Sequence, residues 1–206
     1  MSNFIYWTAY WVVTFYLKLF RKLKIYGREN IPEKGAFIVA GNHVSNFDPP
    51  VLGVAMTRKV RFMAKKELFK YAPIAWLLHQ LGAFPVSRGK ADLEAIRTSL
   101  EVLKSGGVLG VFPEGTRHKP GKLGRAQPGI VMLALKAKVP ILPCALTNTI
   151  GGNKPIIVRI GKPIKFTKYY DRKLSKEEIK EVGNLIMNEI ANLLEMDRDQ
   201  KNNLMS

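Results

Sequence analysis

Two short polar segments hold most of the reactive side chains of this protein. In the first, which runs from Asn42 to Asp48, His43 stands five positions ahead of Asp48, with Pro49 and Pro50 directly behind. An imidazole takes up a proton near neutral pH, and a neighbouring carboxylate fixes its tautomer and stabilises the imidazolium that forms. In a tight turn the two side chains can meet, which makes His43 a candidate general base and Asp48 its partner. Asp48 has an architectural alternative, the N-cap of a helix with proline in its first turn. Asn42 and Ser45 can serve as turn formers. No GxSxG elbow supplies a serine nucleophile, so the attacking group is expected to be a hydroxyl of the substrate.

The second segment, Phe112 to Arg117, joins a turn-forming Pro113 and Gly115 to Glu114, Thr116 and Arg117. A guanidinium at such a place can grip phosphate through two parallel hydrogen bonds, or else pair with Glu114 in a surface turn. Arg88 and Lys90 close another apolar run, and Lys119, Lys122 and Arg125 follow Arg117. These cations can converge on one phosphate or form a solvated basic face. A nucleotide P-loop is excluded, because Gly115 and Gly121 are one residue too far apart and Lys122 precedes Leu123 instead of Ser or Thr. His43, His79 and His118 lack ligand spacing, so no zinc site is expected.

Apolar runs at 36–40, 60–64, 83–86, 108–112, 141–146 and 156–160 predict the strands that position these segments. Helical patterns lie between them at 50–56, 73–81, 91–104 and 129–138, and a last helix at 176–194 opens on a Ser175/Glu178 capping box. Alternating strands and helices predict an α/β fold: one domain at 26–206 with a largely parallel or mixed central sheet flanked by helices. Reactive groups belong where strands end and helices begin.

Residues 1–25 are predicted to form an amphipathic membrane-interface helix. No charge occurs from Asn3 to Leu17, seven of those residues are aromatic, and Lys18, Arg21, Lys22 and Lys24 follow. The uncharged run is short of the ~20 residues that cross a bilayer core. On a helix, Thr14, Lys18, Arg21 and Lys22 share a face, so the pattern predicts a polar, basic stripe with aromatic residues over the rest. Packing of this helix on its own domain or on a second chain is the alternative.

Lysine and arginine number 33 against 16 acidic residues, a formal charge of +17 over 206 residues. Such an excess favours anionic partners: lipid headgroups, nucleic acid or an acidic carrier protein. RNA-recognition and helix-turn-helix signatures are missing, so no nucleic-acid partner is expected. Cys144 stands alone within an apolar run and reads as a small core residue.

Four blocks in order resemble the glycerolipid acyltransferase family, specifically the bacterial 1-acylglycerol-3-phosphate acyltransferases. Asn42 to Asp48 is similar to the family's NHxxxxD block, Gly82 to Arg88 to its second, Phe112 to Arg117 to its third and Val139 to Pro143 to its fourth. The resemblance extends from about Tyr26 to Lys162. It implies transfer of a fatty acyl group from acyl-CoA or acyl-carrier protein to the sn-2 hydroxyl of 1-acylglycerol 3-phosphate, giving phosphatidic acid. It also implies His43 and Asp48 as the catalytic pair, and Arg88, Glu114, Gly115 and Arg117 as residues that bind the phosphoglycerol acceptor. Thr116 and Lys122 join them as candidate substrate-binding residues. One departure is Gln127 before Pro128, where many relatives carry lysine; Arg125 or Lys122 can replace that phosphate contact.

The expected partners are lysophosphatidic acid, the acyl donor and an anionic membrane surface, with no cofactor beyond the donor and no metal. The expected location is the cytoplasmic face of the cell membrane, peripheral or monotopic. Two rivals stand beside this reading: a thioester or lipid hydrolase using the same pair, and a non-catalytic basic module that binds nucleic acid or anionic membrane.

Overall fold

The computed structural model describes residues 3–87 and 92–203. The elements in chain order are α1 (Asn3–Arg21), β1 (Lys24–Tyr26), β2 (Phe37–Gly41), α2 (Asp48–Ala55), β3 (Val60–Lys65), α3 (Ala72–Gln80) and β4 (Phe84–Val86). They continue with α4 (Leu93–Lys104), β5 (Val108–Val111), α5 (Pro128–Ala137), β6 (Ile141–Thr147), β7 (Ile157–Ile160) and α6 (Lys176–Asn203). Single 3-10 turns lie at Arg28–Asn30, Lys66–Lys70 and Thr167–Tyr169.

The strands form one mixed sheet in the order β1-β7-β6-β2-β5-β3-β4. Strands β6, β2, β5, β3 and β4 run parallel, β7 is antiparallel to β6, and β1 runs parallel to β7. At the centre β2 lies between β5 and β6, and every one of its residues is buried. A strand covered on both faces has no polar side to alternate with, which is why 36–40 reads as a continuous apolar run.

Side-chain alternation divides the core in two. Phe37, Val39, Leu142 and Leu146 pack with Leu17 of α1 and with Val51, Leu52 and Ala55 of α2. Ile38, Ala40, Leu109 and Ile141 face the opposite layer, built from α4, α5 and α6. Cys144, on the α1/α2 side, is fully buried, and burial pushes its thiol well above the ordinary range.

Helix α1 packs on the domain along Tyr6, Tyr10, Val13, Thr14 and Leu17. The Tyr6 hydroxyl accepts the first N–H of β3, from Val60, at 3.0 Å, and the Tyr10 hydroxyl donates to the Val54 carbonyl at 3.2 Å. The solvated stripe expected of Thr14, Lys18, Arg21 and Lys22 is therefore not formed. Lys18 and Lys22 are exposed, but Thr14 is buried with its hydroxyl on the Tyr10 carbonyl at 2.6 Å, and Arg21 donates to the Asn148 carbonyl at 2.8 Å. Both found backbone acceptors on the protein side, which offsets much of the cost of turning them away from water, although Arg21 Nε is buried without a partner. The outward face consists of Phe4, Trp11, Val12, Phe15, Leu19 and Phe20.

Other expectations shift by a few residues. Helix α2 begins at Asp48, two positions before the predicted start, with both prolines in its first turn. Helix α4 begins at Leu93, where Asp92 accepts the Ala95 N–H at 3.0 Å; the Ala91 start falls outside the described residues. The capping box opens α6: Glu178 N–H donates to Ser175 Oγ at 3.1 Å and Ser175 N–H to Glu178 Oε2 at 2.9 Å. That helix runs nine residues beyond the predicted end at 194, to Asn203.

Candidate active site

Strand β2 ends in the middle of the sheet, where its neighbours lead the chain to opposite faces. After β2 the chain turns to α2 on one face, and after β5 it crosses to α5 on the other. Such a divergence opens a crevice beyond the carboxyl ends of the strands. His43 and Asp48 sit in it.

His43 Nδ1 lies 2.7 Å from Asp48 Oδ2. The same oxygen accepts the N–H groups of Val44 and Ser45, each at 2.7 Å. Asp48 Oδ1 accepts the Thr149 hydroxyl at 2.5 Å. Asp48 has no exposed surface, and His43 is 6% exposed. A carboxylate offers only acceptors, so the Nδ1 of a neutral His43 carries the proton and Nε2 keeps the lone pair. The imidazole is stacked on Phe112, ring centroids 4.1 Å apart. The architectural alternative for Asp48 is thereby decided: its side chain does not cap α2 but turns back over residues 43–45.

Three side chains hold this loop in place. Asn42 Nδ2 donates to the Leu146 carbonyl at 3.0 Å while its Oδ1 accepts the Leu146 N–H at 2.7 Å, tying the end of β2 to β6. Glu114, 2% exposed, accepts the His43 N–H on Oε1 at 2.8 Å and the Gly124 N–H on Oε2 at 2.7 Å. The His118 N–H donates in return to the His43 carbonyl at 2.9 Å, and its ring lies 3.5 Å from Glu114 Oε2. Both Glu114 oxygens are thus committed to the frame of the site. Ser45 Oγ accepts the Phe47 N–H at 3.1 Å, the turn-forming role expected of it.

Of the remaining predicted residues, four are described. Gly115, Thr116, Arg117 and Lys122 are exposed. Gly115 has φ of +69°, and a Cβ there would meet the Gln127 side chain at 3.0 Å, so glycine is needed for the turn. Arg117 donates from Nη1 to Asn46 Oδ1 at 2.9 Å, which brings its guanidinium to the His43–Asp48 loop instead of to Glu114. Lys122 lies on the rim of a cleft of about 470 Å³, which Asn42, Val44, Leu123, Thr149 and Leu194 also line. Arg88 and Lys90 lie outside the described residues. Thr149 had no local signal in the sequence, and Phe112 and His118, within and directly after the second segment, had no role assigned there; each meets residues 43–48 through a contact distant along the chain.

Residues 22–147 match the profile of the family described as Acyltransferase, a span that includes all four sequence blocks. The chain belongs to that family. A 1-acyl-sn-glycerol-3-phosphate acyltransferase of Bacillus subtilis (strain 168) is 35% identical over 134 residues, 64% of this chain and 66% of that protein. An enzyme of the same name from Streptococcus pneumoniae is 32% identical, over 81% of this chain and 63% of its own length. The crystal structure of the 1-acyl-sn-glycerophosphate (LPA) acyltransferase PlsC from Thermotoga maritima is similar with a TM-score of 0.67 at 26% identity, covering 95% of this chain and 88% of that one. The chain spans 66%, 38%, 37% and 52% of the length of four curated relatives that carry the 1-acyl-sn-glycerol-3-phosphate acyltransferase name.

The role of Glu114 gives a first test. Glu114→Gln places an amide NH2 against one of the two buried N–H donors and should lower stability by about 1–3 kcal/mol. Thermal unfolding measured beside the native protein checks this; an unchanged midpoint would mean that the carboxylate does not hold the loop.

Proposed function

We propose that this acyltransferase moves a fatty acyl group from acyl-CoA or acyl-carrier protein to the sn-2 hydroxyl of 1-acylglycerol 3-phosphate, producing phosphatidic acid. The observation that carries the reading is the 2.7 Å contact between His43 Nδ1 and a buried, donor-saturated Asp48. The activity for which the similar proteins are named points to the acceptor.

Nε2 of neutral His43 takes the proton from the acceptor hydroxyl as its oxygen attacks the thioester carbonyl carbon. Asp48 stabilises the imidazolium that results. The tetrahedral intermediate then expels the thiolate: the C–S bond breaks, the new C–O bond remains, and the departing sulfur takes the proton from Nε2. No acyl-enzyme forms, and His43 returns to its starting state. Phe112, stacked on the imidazole, supports the ring from one face. Arg117, with Lys122 on the cleft rim, supplies positive charge for the acceptor phosphate, and holding that phosphate keeps the hydroxyl near Nε2. The resemblance of its block makes Arg88 a further candidate for that phosphate. Glu114 and Gly115 serve by framing the loops, and Thr116 is exposed between Gly115 and Arg117.

The reaction takes place at the cytoplasmic surface of the membrane. The exposed aromatic and aliphatic residues of α1 lie beside Lys18 and Lys22, and α3, in contact with α1, exposes Ile74, Trp76 and Leu77. Such a face, apolar with a basic margin, suits the interface of an anionic bilayer. Tyr16 of α1 contacts Phe47, the residue before Asp48, with ring centroids 6.1 Å apart. The lipid-facing helix therefore reaches the reactive loop, and a lysolipid can keep its tail in the bilayer during transfer. No helix among the described residues is long and apolar enough to cross a membrane.

His43→Ala should lower kcat by about 1000-fold or more and also lower the unfolding midpoint, because a buried ring and one donor to Asp48 are lost; the assay is product formation from a labelled acyl thioester and a panel of lysolipids at a temperature where the variant is folded, and a fully active variant refutes the base assignment. Thiol release without any acceptor, at the rate seen with it, would make the chain a hydrolase. Arg117→Ala should raise the acceptor KM about tenfold with the donor KM unaltered, and an unchanged acceptor KM removes this residue from the phosphate site. Serine at Trp11, Phe15 and Phe20 together should weaken flotation with anionic vesicles at least about tenfold; undiminished binding sinks the placement of α1 in the interface.

A further inference from the structure

We propose that Thr149 is a positioning residue of acyl transfer, whose hydroxyl fixes the rotation of the Asp48 carboxylate so that Oδ2 can orient His43. The inference rests on the reading of His43 as general base. Thr149 stands in the connection from β6 to β7, 101 positions from Asp48, and is 2% exposed. Its Oγ1–H donates to Asp48 Oδ1 at 2.5 Å, while His43 Nδ1–H and the N–H groups of Val44 and Ser45 all converge on Oδ2.

A carboxylate turns about its Cβ–Cγ bond in a broad, shallow well. Donors on one oxygen hold that atom, whereas a donor on the second oxygen fixes the plane. Removing the hydroxyl frees the plane and leaves a buried anionic oxygen without a partner, and the group then relieves itself by swinging away from His43 or drawing in water. Either response disturbs the tautomer and the aim of the imidazole. Thr149 also lines the cleft, but its hydroxyl is spent on Asp48, so replacing that hydroxyl by a methyl of similar shape leaves the cleft wall in place for substrates.

The hydroxyl is placed from three sides. The Asn42 side chain grips both backbone groups of Leu146 at the end of β6. Asn148, at a left-handed φ of +60°, donates from Nδ2 to the Pro155 carbonyl at 2.7 Å. Arg21 of α1 donates to the Asn148 carbonyl at 2.8 Å. A loop fastened in this way presents Thr149 to Asp48 with little freedom, which is what a positioning role requires.

The experiment is steady-state kinetics of the full-length chain with an acyl thioester and 1-acylglycerol 3-phosphate for Thr149→Val, Thr149→Ser and Thr149→Cys. Thr149→Val, of similar shape without the donor, should lower kcat about 10- to 100-fold, with both KM values within about twofold of the native protein. Thr149→Ser should recover kcat to within about threefold, and Thr149→Cys, a weaker donor, should fall between them. In an Asp48→Asn background, Thr149→Val should add little further loss, because both changes act on one unit. A native kcat in Thr149→Val, a serine variant as slow as the valine one, a change confined to KM, or losses that multiply in the double variant would each overturn the proposal. His43→Ala, run in parallel, separates the two layers: an active His43→Ala variant defeats the base assignment itself, however Thr149 behaves.

Discussion

Burying a carboxylate out of reach of water is strongly unfavourable unless its lone pairs are met by donors. Asp48 meets that condition with four: the ring of His43, two successive backbone N–H groups and one hydroxyl. Two of these donors exist only because residues 43–45 wrap around the oxygen, so the conformation of the loop and the ionisation of the side chain support each other. Glu114 repeats the device one layer away, joining the backbone of His43 to that of Gly124. The reactive loop is thus held by two buried anions within a chain that carries an excess of 17 positive charges.

The sheet determines which faces these loops present. Because β2 passes to α2 on one side while β5 passes to α5 on the other, His43 shares a face with α1, and the loop bearing Arg117 and Lys122 arrives from across the crevice. An apolar chain and a charged head can therefore approach the imidazole from different directions. Because β6 lies beside β2, the connection that leaves β6 for the antiparallel β7 starts next to the His43 loop and sets Thr149 against Asp48.

Much of this was legible in the sequence, and the gaps have a physical pattern. The central strands appeared as unbroken apolar runs because both faces are covered, and His43 and Asp48 stood out because a local turn suffices to join them. Strand β1, with three residues of which two are exposed, is too short to show a period. Thr14 and Arg21 were placed on the wrong side of α1 because periodicity reports polarity and cannot see the backbone carbonyls that receive them. Glu114 looked like a partner for Arg117 or a ligand for substrate, yet its acceptors meet N–H groups brought in from two loops. Thr149 carried no mark at all: a threonine after a strand is unremarkable until a partner 101 positions away is known.

The burial of Cys144 has a practical consequence. Cys144 is the register partner of Gly41 in β2, its side chain packs on the α1/α2 face with no exposed surface, and burial disfavours the thiolate that reagents attack. A chromogenic disulfide that counts free sulfhydryls in solution will therefore find none on the folded chain, whose sequence contains this one cysteine. On the proposed reading, the thiol liberated from either acyl donor can be followed continuously against a silent background, and a slow rise in colour without substrate would report unfolding.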